Sequence, residues 1–360
     1  MDHLRAHDPH DDGCAAMRQD GASSIQEMLM PPAAEADGLS CAPAVRAGLA
    51  RGTWPIIVTG ATGWLGQAAL DMLDRTLGEA TAARVIAFAA SPRSIRLPSG
   101  RLVAAQGYAA LDTLTCAPPL ILHFAFRTRG HAAEPGYVET NRAIAATMAR
   151  FLRRNGATGF FLPSSGAAQG AGLATNPYGA LKAEDEARFG HLADTLGVPK
   201  TIIRIFNLAG PHINNMAGYA LASIILDCLA GRPIHLRAAH PVWRSYAHIG
   251  DLLNIALANL LARRDPGMFD TAGTAALEIG ALAQTAARLL TGRDPEIIRP
   301  AWETGPPDRY IGDAAGYAAA AARHGLTLRT LDQQILDTAA YLRGVAGTTG
   351  GGLAPARLAL

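Results

Sequence analysis

The 360-residue chain reads as a doubly wound α/β fold, a parallel sheet covered on both faces, with a smaller, mostly C-terminal second domain. Three observations lead there. Short apolar runs with little polar alternation recur at 56–59, 85–89, 120–124, 160–162 and 201–205. Helical stretches separate them, at 64–77, 139–154 and 178–196. Between the first run and the first helix lies a turn with three evenly spaced glycines. Strands that are apolar on every residue belong to a sheet buried on both sides, and intervening helices supply the crossovers that parallel pairing needs.

Before the first run, residues 1–50 are rich in Ala, Asp, Gly and Pro and carry little periodicity. They read as an N-terminal, flexible extension with short helices at 23–30 and 42–51. Residues 51–212 form the main α/β domain, to which the chain returns at about 245–272. The second domain takes 213–244 and 273–343. Beyond residue 207 the pattern loosens, and helices are expected at 216–230, 250–263, 279–291 and 331–342. The tail, 344–360, contains GTTGGG and reads as flexible.

Composition excludes several classes of function. Hydrophobic residues make up 49% and charged residues 17%, which suits a globular chain. A net charge of +2 with dispersed basic residues argues against nucleic acid as a partner. No segment is long and apolar enough for a membrane span, since 219–230 is short and interrupted by Asp227. The acidic, polar start lacks the features of a signal peptide, so a cytoplasmic location is expected. Four scattered cysteines without a C-x-x-C pair or a histidine at ligand spacing give no metal site.

The glycine turn is Gly60-Ala61-Thr62-Gly63-Trp64-Leu65-Gly66. Glycines let the backbone approach a pyrophosphate, and the following helix offers unpaired N–H groups and its positive dipole end. Three glycines alone are weak evidence; their position between strand and helix is what gives them meaning. Further on, Tyr178 and Lys182 stand four apart at a predicted helix start and share a face. An ammonium beside a phenol favours the phenolate and would lower the tyrosine pKa. Such pairs arise by chance, but this chain has only two lysines, Lys182 and Lys200.

The G-x-x-G-x-x-G turn and Y-x-x-x-K resemble the extended, nucleotide-sugar-modifying branch of the short-chain dehydrogenase superfamily, over about residues 55–343. The resemblance implies a Rossmann dinucleotide domain, a substrate-binding second domain and a homodimer built through the helices at 139–154 and 178–196. It implies Tyr178, Lys182, Ser165 and Asn141 as catalytic residues, with Ser164 the fallback for Ser165. Gly60, Thr62, Gly63, Trp64, Leu65, Gly66, Ser91, Arg93, Phe124 and Ala125 would join Tyr178 and Lys182 in holding the cofactor. Ser165, Asn207 in R-x-F-N-x-x-G-P, His212 after it, and Arg244 in R-S-Y-A-H would meet the small-molecule substrate, a nucleotide-sugar. Each has a plainer reading: a turn serine, a helix-capping Asn141, a loop His212, an ion-paired Arg244.

Two departures shape the expected chemistry. No acidic residue occurs between Glu79 and Asp112, where the family carries the aspartate that holds the adenosine ribose. Ser91, Arg93 and Arg96 stand there instead and would suit a 2′-phosphate, so NADP(H) is favoured, with NAD(H) possible. Family dehydratases carry Asp and Glu directly after the catalytic serine or threonine, whereas this chain has Gly166 and Ala167. What remains needs only a hydride and one tyrosine-borne proton. The expectation is an NADP(H)-linked ketoreductase acting at C4 of a nucleotide-sugar. The alternative is a 4-epimerase with tightly bound NAD(P). A reductase of non-nucleotide carbonyls and a non-catalytic dinucleotide sensor are more distant readings.

Overall fold

In the computed structural model, residues 38–348 are described, apart from Ala217 and Thr304. Among the described residues the first helix, α1 (Pro43–Arg51), opens on a proline and buries Val45 and Leu49. Strand β1 (Ile56–Thr59) leads through the glycine turn into α2 (Trp64–Leu77). A short α3 (Thr81–Arg84) precedes β2 (Val85–Ala89), β3 (Arg93–Arg96), β4 (Leu102–Gly107) and β5 (Leu120–His123). Then follow α4 (Tyr137–Asn155), β6 (Gly159–Ser165), α5 (Pro177–Leu196) and β7 (Lys200–Ile205).

The later part alternates short strands with helices. In order they are β8 (Leu208–Ala209), α6 (Ala220–Leu229), β9 (Ile234–His235), β10 (Val242–Ser245), β11 (Ala247–His248) and α7 (Ile249–Leu261). Next come β12 (Phe269–Asp270), β13 (Ala276–Glu278), α8 (Ile279–Thr291), β14 (Ile297–Ile298) and β15 (Asp308–Tyr310). The last two helices are α9 (Ala314–Ala322) and α10 (Leu331–Thr348).

The main sheet has eight strands in the order β12-β7-β6-β5-β1-β2-β4-β3. All its pairs are parallel except the β3–β4 hairpin at one edge. Period-two geometry divides its residues between two cores. Ile57, Phe88, Ile121, Phe160 and Leu162 face Met148, Phe151 and Leu152 of α4 and Phe189 and Leu192 of α5. Ile56, Val58, Ala87, Leu122 and Phe161 face α2 and α7, in a core continuous with the C-terminal helices. That double burial is why these strands read as apolar runs, and it confirms the doubly wound fold class. The strand order reverses around β1, between β2 and β5, which opens a crevice at the carboxyl ends of the strands.

Residues 38–50, expected to be part of a flexible extension, are instead packed into the body. Leu39 and Leu49 are fully buried, and Asn254 of α7 accepts from the Ala42 amide at 2.7 Å while donating to the Ser40 carbonyl at 3.0 Å. The helix expected at 23–30 and the end of the tail, 349–360, lie outside the described residues. Residues 344–348, expected in the tail, continue α10. Strands β3 and β4 were not foreseen. One is a charged edge strand and the other is exposed on alternate residues, so neither carries an apolar run. Among the described residues no helix is long and apolar enough to cross a membrane.

Candidate active site

At the crevice, Gly60 has φ +63°, and a Cβ there would stand 2.6 Å from the Phe124 carbonyl and 2.7 Å from the Ala125 nitrogen. Phe124 and Ala125 therefore border the turn through their backbone. Thr59 Oγ1 fastens this edge, accepting from the Ala125 amide at 3.1 Å and pairing with His123 Nδ1 at 2.8 Å. A Cβ on Gly66 would lie 2.2 Å from the Gly60 carbonyl oxygen, so only glycine lets α2 start this close to β1. Around the Cβ position of Gly63, by contrast, the Gly60 carbonyl oxygen at 3.3 Å is the only described atom within 4 Å beyond the adjoining residues and the helix's own backbone. A tight turn with an open outer face at a helix N-terminus fits a pyrophosphate.

Within the loop, Thr62 uses its carbonyl to accept from Gln67 Nε2 at 2.8 Å. The Trp64 indole is held at both its N–H and its ring. Its N–H donates to the Pro211 carbonyl at 2.7 Å, and its ring meets Tyr219 edge-on at 5.1 Å. Leu65 is half-buried against the core. After β2, Arg93 Nη2 donates to Ser91 Oγ at 2.9 Å, and both side chains are exposed.

The Tyr178–Lys182 pair sits at the start of α5. Asn176 caps the helix by accepting from the Gly179 amide, and Pro177 occupies the first turn, so Tyr178 and Lys182 fall on successive turns. Gly179 brings the helix within contact of the Ala167 carbonyl, where a Cβ would come to 2.2 Å. Lys182 is buried; its Nζ donates to the Pro163 carbonyl at 3.0 Å and lies 4.0 Å over the Phe126 ring. The same ring meets Tyr178 edge-on at 5.7 Å. Burial pulls the Lys182 ammonium down to about 8, against the carboxylates of Asp185 and Glu186. Burial pushes Asp185 up to about 6, opposed first by Lys182.

Tyr178 departs from expectation. Burial pushes its phenol up to about 12, with the Ser165 hydroxyl acting in the opposite direction and the phenols of Tyr310, Tyr219 and Tyr137 adding to the rise. The expected lowering by Lys182 is absent because burial holds the lysine at about 8, so it has lost its charge before the phenol ionises.

Strand β6 separates the two serines. Ser164 Oγ donates to Glu186 Oε1 at 2.5 Å, and Glu186 also takes both arms of Arg204 at 2.8 Å. Ser164 is thus committed to a buried network. Ser165, one residue on and facing the other side, accepts from the Ala167 amide at 3.2 Å and pairs with the Tyr310 hydroxyl at 3.1 Å. A Cβ on Gly166 would lie 2.6 Å from the Phe206 ring, so no acid can be seated there without displacing that ring.

The remaining expected residues serve the framework. Asn141 accepts from the Arg127 amide at 2.8 Å and donates to the Tyr137 and Arg127 carbonyls, holding the loop that carries Phe126. It orders the site rather than touching Tyr178. Asn207 Nδ2 donates to the carbonyls of Ser245 and Tyr310, stapling β10 and β15 together. Arg244 Nη2 pairs with Asp308 at 2.6 Å, so its plainer reading as an ion pair describes this structure. His212 points inward: it is 6% exposed, its Nε2 pairs with Asp71 at 2.8 Å, and its ring stands beside Tyr341. That placement corrects the expectation of a substrate contact, because the nitrogen is already taken by a buried carboxylate. Phe126, Phe206 and Tyr310 were missed as site residues; Phe206 is the aromatic position of the R-x-F-N-x-x-G-P run, whereas Phe126 and Tyr310 lie outside any spaced motif.

Residues 56–270 match the sequence profile of the NAD dependent epimerase/dehydratase family. The chain belongs to that family. No curated protein sequence matches the chain. Among solved structures, this family member is similar to MoeE5 in complex with UDP-glucose and NAD, at 20% identity and a TM-score of 0.62, covering 81% of this chain and 99% of that one. It is also similar to a UDP-N-acetylglucosamine 4-epimerase from Methanobrevibacter ruminantium M1 in complex with UDP-N-acetylmuramic acid, at 16% identity and 0.62. A UDP-glucose 4-epimerase from Thermotoga maritima with UDP-glucose aligns at 20% and 0.61. Both alignments cover 81% of this chain and 99% of the other. At these identities the likeness establishes the shared fold.

Proposed function

We propose that the protein is a nucleotide-sugar 4-epimerase that keeps a nicotinamide dinucleotide bound through turnover. The observation that carries this reading is the pairing of Tyr178, Ser165 and Lys182 with a neighbouring Gly166 whose Cβ position is filled by Phe206. Such a site moves one proton at a sugar hydroxyl and has no acid–base pair for eliminating water. Tyr178 would take the C4 hydroxyl proton and return it, and Ser165 would donate a hydrogen bond to the same oxygen. Lys182 and the glycine turn would hold the dinucleotide. When bound in oxidised form, that group supplies a hydride acceptor and a positive charge that favours the Tyr178 phenolate. The UDP-sugar 4-epimerases that share the fold support this reading over the ketoreductase expected from sequence.

A second reading, an NADP(H)-linked 4-ketoreductase, is favoured by Ser91 and Arg93 at the end of β2, where no carboxylate would repel a 2′-phosphate. The same pair supports NADP(H) over NAD(H) under either reading. A homodimer is proposed through the outer faces of α4 and α5. Ala143 and Ala187 are exposed there and permit close approach, beside Arg142, Arg150 and Arg188. One experiment separates the readings: mass spectrometry of nucleotides released on denaturing the purified protein, combined with incubation with UDP-glucose. Bound dinucleotide and a C4-epimeric product without net oxidation support the epimerase. Empty protein that consumes NADPH with a 4-keto sugar nucleotide overturns it in favour of the reductase.

A further inference from the structure

Tyr310 comes from a part of the chain that no motif marks, yet its hydroxyl ends 3.1 Å from Ser165 Oγ. Its placement is over-determined. Strand β15 pairs with β10 so that Tyr310 lies opposite Arg244, and the Tyr310 carbonyl accepts from Asn207 Nδ2 at 3.0 Å. Its ring packs on Phe206 with centroids 4.6 Å apart, against the same ring that fills the space beside Gly166. We infer that Tyr310 is a positioning residue that saturates the acceptor side of Ser165, so that the serine hydroxyl can only donate, toward Tyr178 and the sugar oxygen. The inference rests on the proposed roles of Tyr178 and Ser165.

A serine oxygen has two lone pairs and one proton. The Ala167 amide takes one lone pair at 3.2 Å, in a bond it shares with the Tyr310 oxygen. The Tyr310 proton has two acceptors within reach, Ser165 Oγ at 3.1 Å and the Ile205 carbonyl at 3.4 Å. The latter is at the long limit for an O–H donor, so the proton belongs on Ser165. With both lone pairs occupied, Ser165 cannot accept from a neutral Tyr178, but it can donate to the ionised one. Withholding an acceptor from the phenol while offering a donor to the phenolate stabilises the ionised form. The chain Tyr310–Ser165–Tyr178 also polarises in that direction.

Replacing Tyr310 with Phe frees a lone pair on Ser165, to which neutral Tyr178 can then donate. Tyr310 raises Tyr178 only when it is itself ionised, and burial pushes its own phenol up, so that charge is absent where Tyr178 titrates beside an oxidised dinucleotide; the other groups, Tyr219 and Tyr137 on Tyr178 and Arg129 and Arg244 on Tyr310, are unchanged. Lys182 and Asp185 sit on the same helix face and are retained.

The test is a tyrosine ring-carbon NMR titration, up to about pH 11, of the full chain saturated with NAD+ or NADP+, whose positive charge would bring the Tyr178 ionisation into that range; folding is followed by circular dichroism, and Tyr178 is assigned by its loss in Tyr178→Phe. In Tyr310→Phe the ionisation of Tyr178 should move upward by about half a unit to one unit, as expected for one hydrogen bond. In a Ser165→Ala background the same replacement should leave it unmoved. A Tyr178 titration indifferent to Tyr310, or an equal shift with Ser165 removed, overturns the inference. Failure of the underlying site reading looks different: Tyr178→Phe would then retain turnover with a UDP-hexose, whatever Tyr310 does.

Discussion

Replacing the buried Lys182 with Met should stabilise the folded protein relative to the wild type near neutral pH, and that advantage should fade as the pH rises. Burial holds the Lys182 pKa at about 8 in the folded state, against an ordinary value of 10.5. The folded protein therefore binds this proton less tightly than the unfolded chain does. The penalty is fully present below about pH 8 and disappears as pH rises through the unfolded value. A shift of this size corresponds to about 3 kcal/mol. Methionine avoids that charge penalty but leaves the Pro163 carbonyl without the Nζ–H that it accepts at 3.0 Å, a loss of about 1–2 kcal/mol. The net gain near neutral pH is about 1–2 kcal/mol.

The dependence on pH is the sharper readout. Between about pH 8 and pH 10 the wild type should regain about 2 kcal/mol relative to Lys182→Met, because neutral lysine still donates to Pro163. Staying above pH 8 keeps Asp185, pushed up to about 6, largely out of the wild-type titration; in Lys182→Met it loses the lysine that opposes this rise, so the comparison is read toward the upper end of the range. The assay is urea denaturation of both proteins at a series of pH values, comparing midpoints at constant slope. A stability difference that stays flat across that range would show that Lys182 is not held in a charge-averse environment, and the argument from its burial would fail.

Other perturbations address the remaining parts of the site. Tyr178→Phe keeps the ring against Phe126 and removes the proton carrier, so turnover of the UDP-sugar should fall by about two to four orders of magnitude with unchanged folding. Arg93→Asp should weaken NADP(H) binding by about 1.5–3 kcal/mol and NAD(H) much less; equal losses in calorimetry would remove the 2′-phosphate argument. Gly66→Ala places a methyl 2.2 Å from the Gly60 carbonyl oxygen, and should cost about 1–3 kcal/mol in a denaturation curve together with dinucleotide affinity. Ala187→Glu should convert the proposed homodimer to a monomer in light scattering, and a wild type already monomeric at micromolar concentration would refute the α4/α5 interface.

Much of the fold was legible because its signals are local. A strand buried on both faces writes itself as an apolar run, and β1, β2, β5, β6 and β7 do so. The glycine turn and the Tyr178–Lys182 spacing are local too. The hairpin β3–β4 escaped notice because an edge strand exposes most of its residues. Tyr310 was out of reach for a different reason: it meets Ser165 across 145 residues of sequence, and nothing around Asp308–Tyr310 signals that partner. His212 shows the converse error. A histidine after G-P carries no mark of the Asp71 that captures it from α2, 141 residues upstream.

The packing of Gly166 against Phe206 bears on how this chain could change its chemistry. An aspartate at 166, the first half of a dehydratase acid–base pair, would drive its Cβ to 2.6 Å from an aromatic ring that is itself packed at a tilt on Tyr310. Shrinking Phe206 to make room would loosen Tyr310 and with it the environment of Ser165. A path from this enzyme to water elimination therefore passes through intermediates that have lost the existing reaction before acquiring the new one. Screening for dehydratase activity should accordingly begin from libraries that vary Gly166, Ala167, Phe206 and Tyr310 together, since single-site walks start by damaging the only chemistry available to select on.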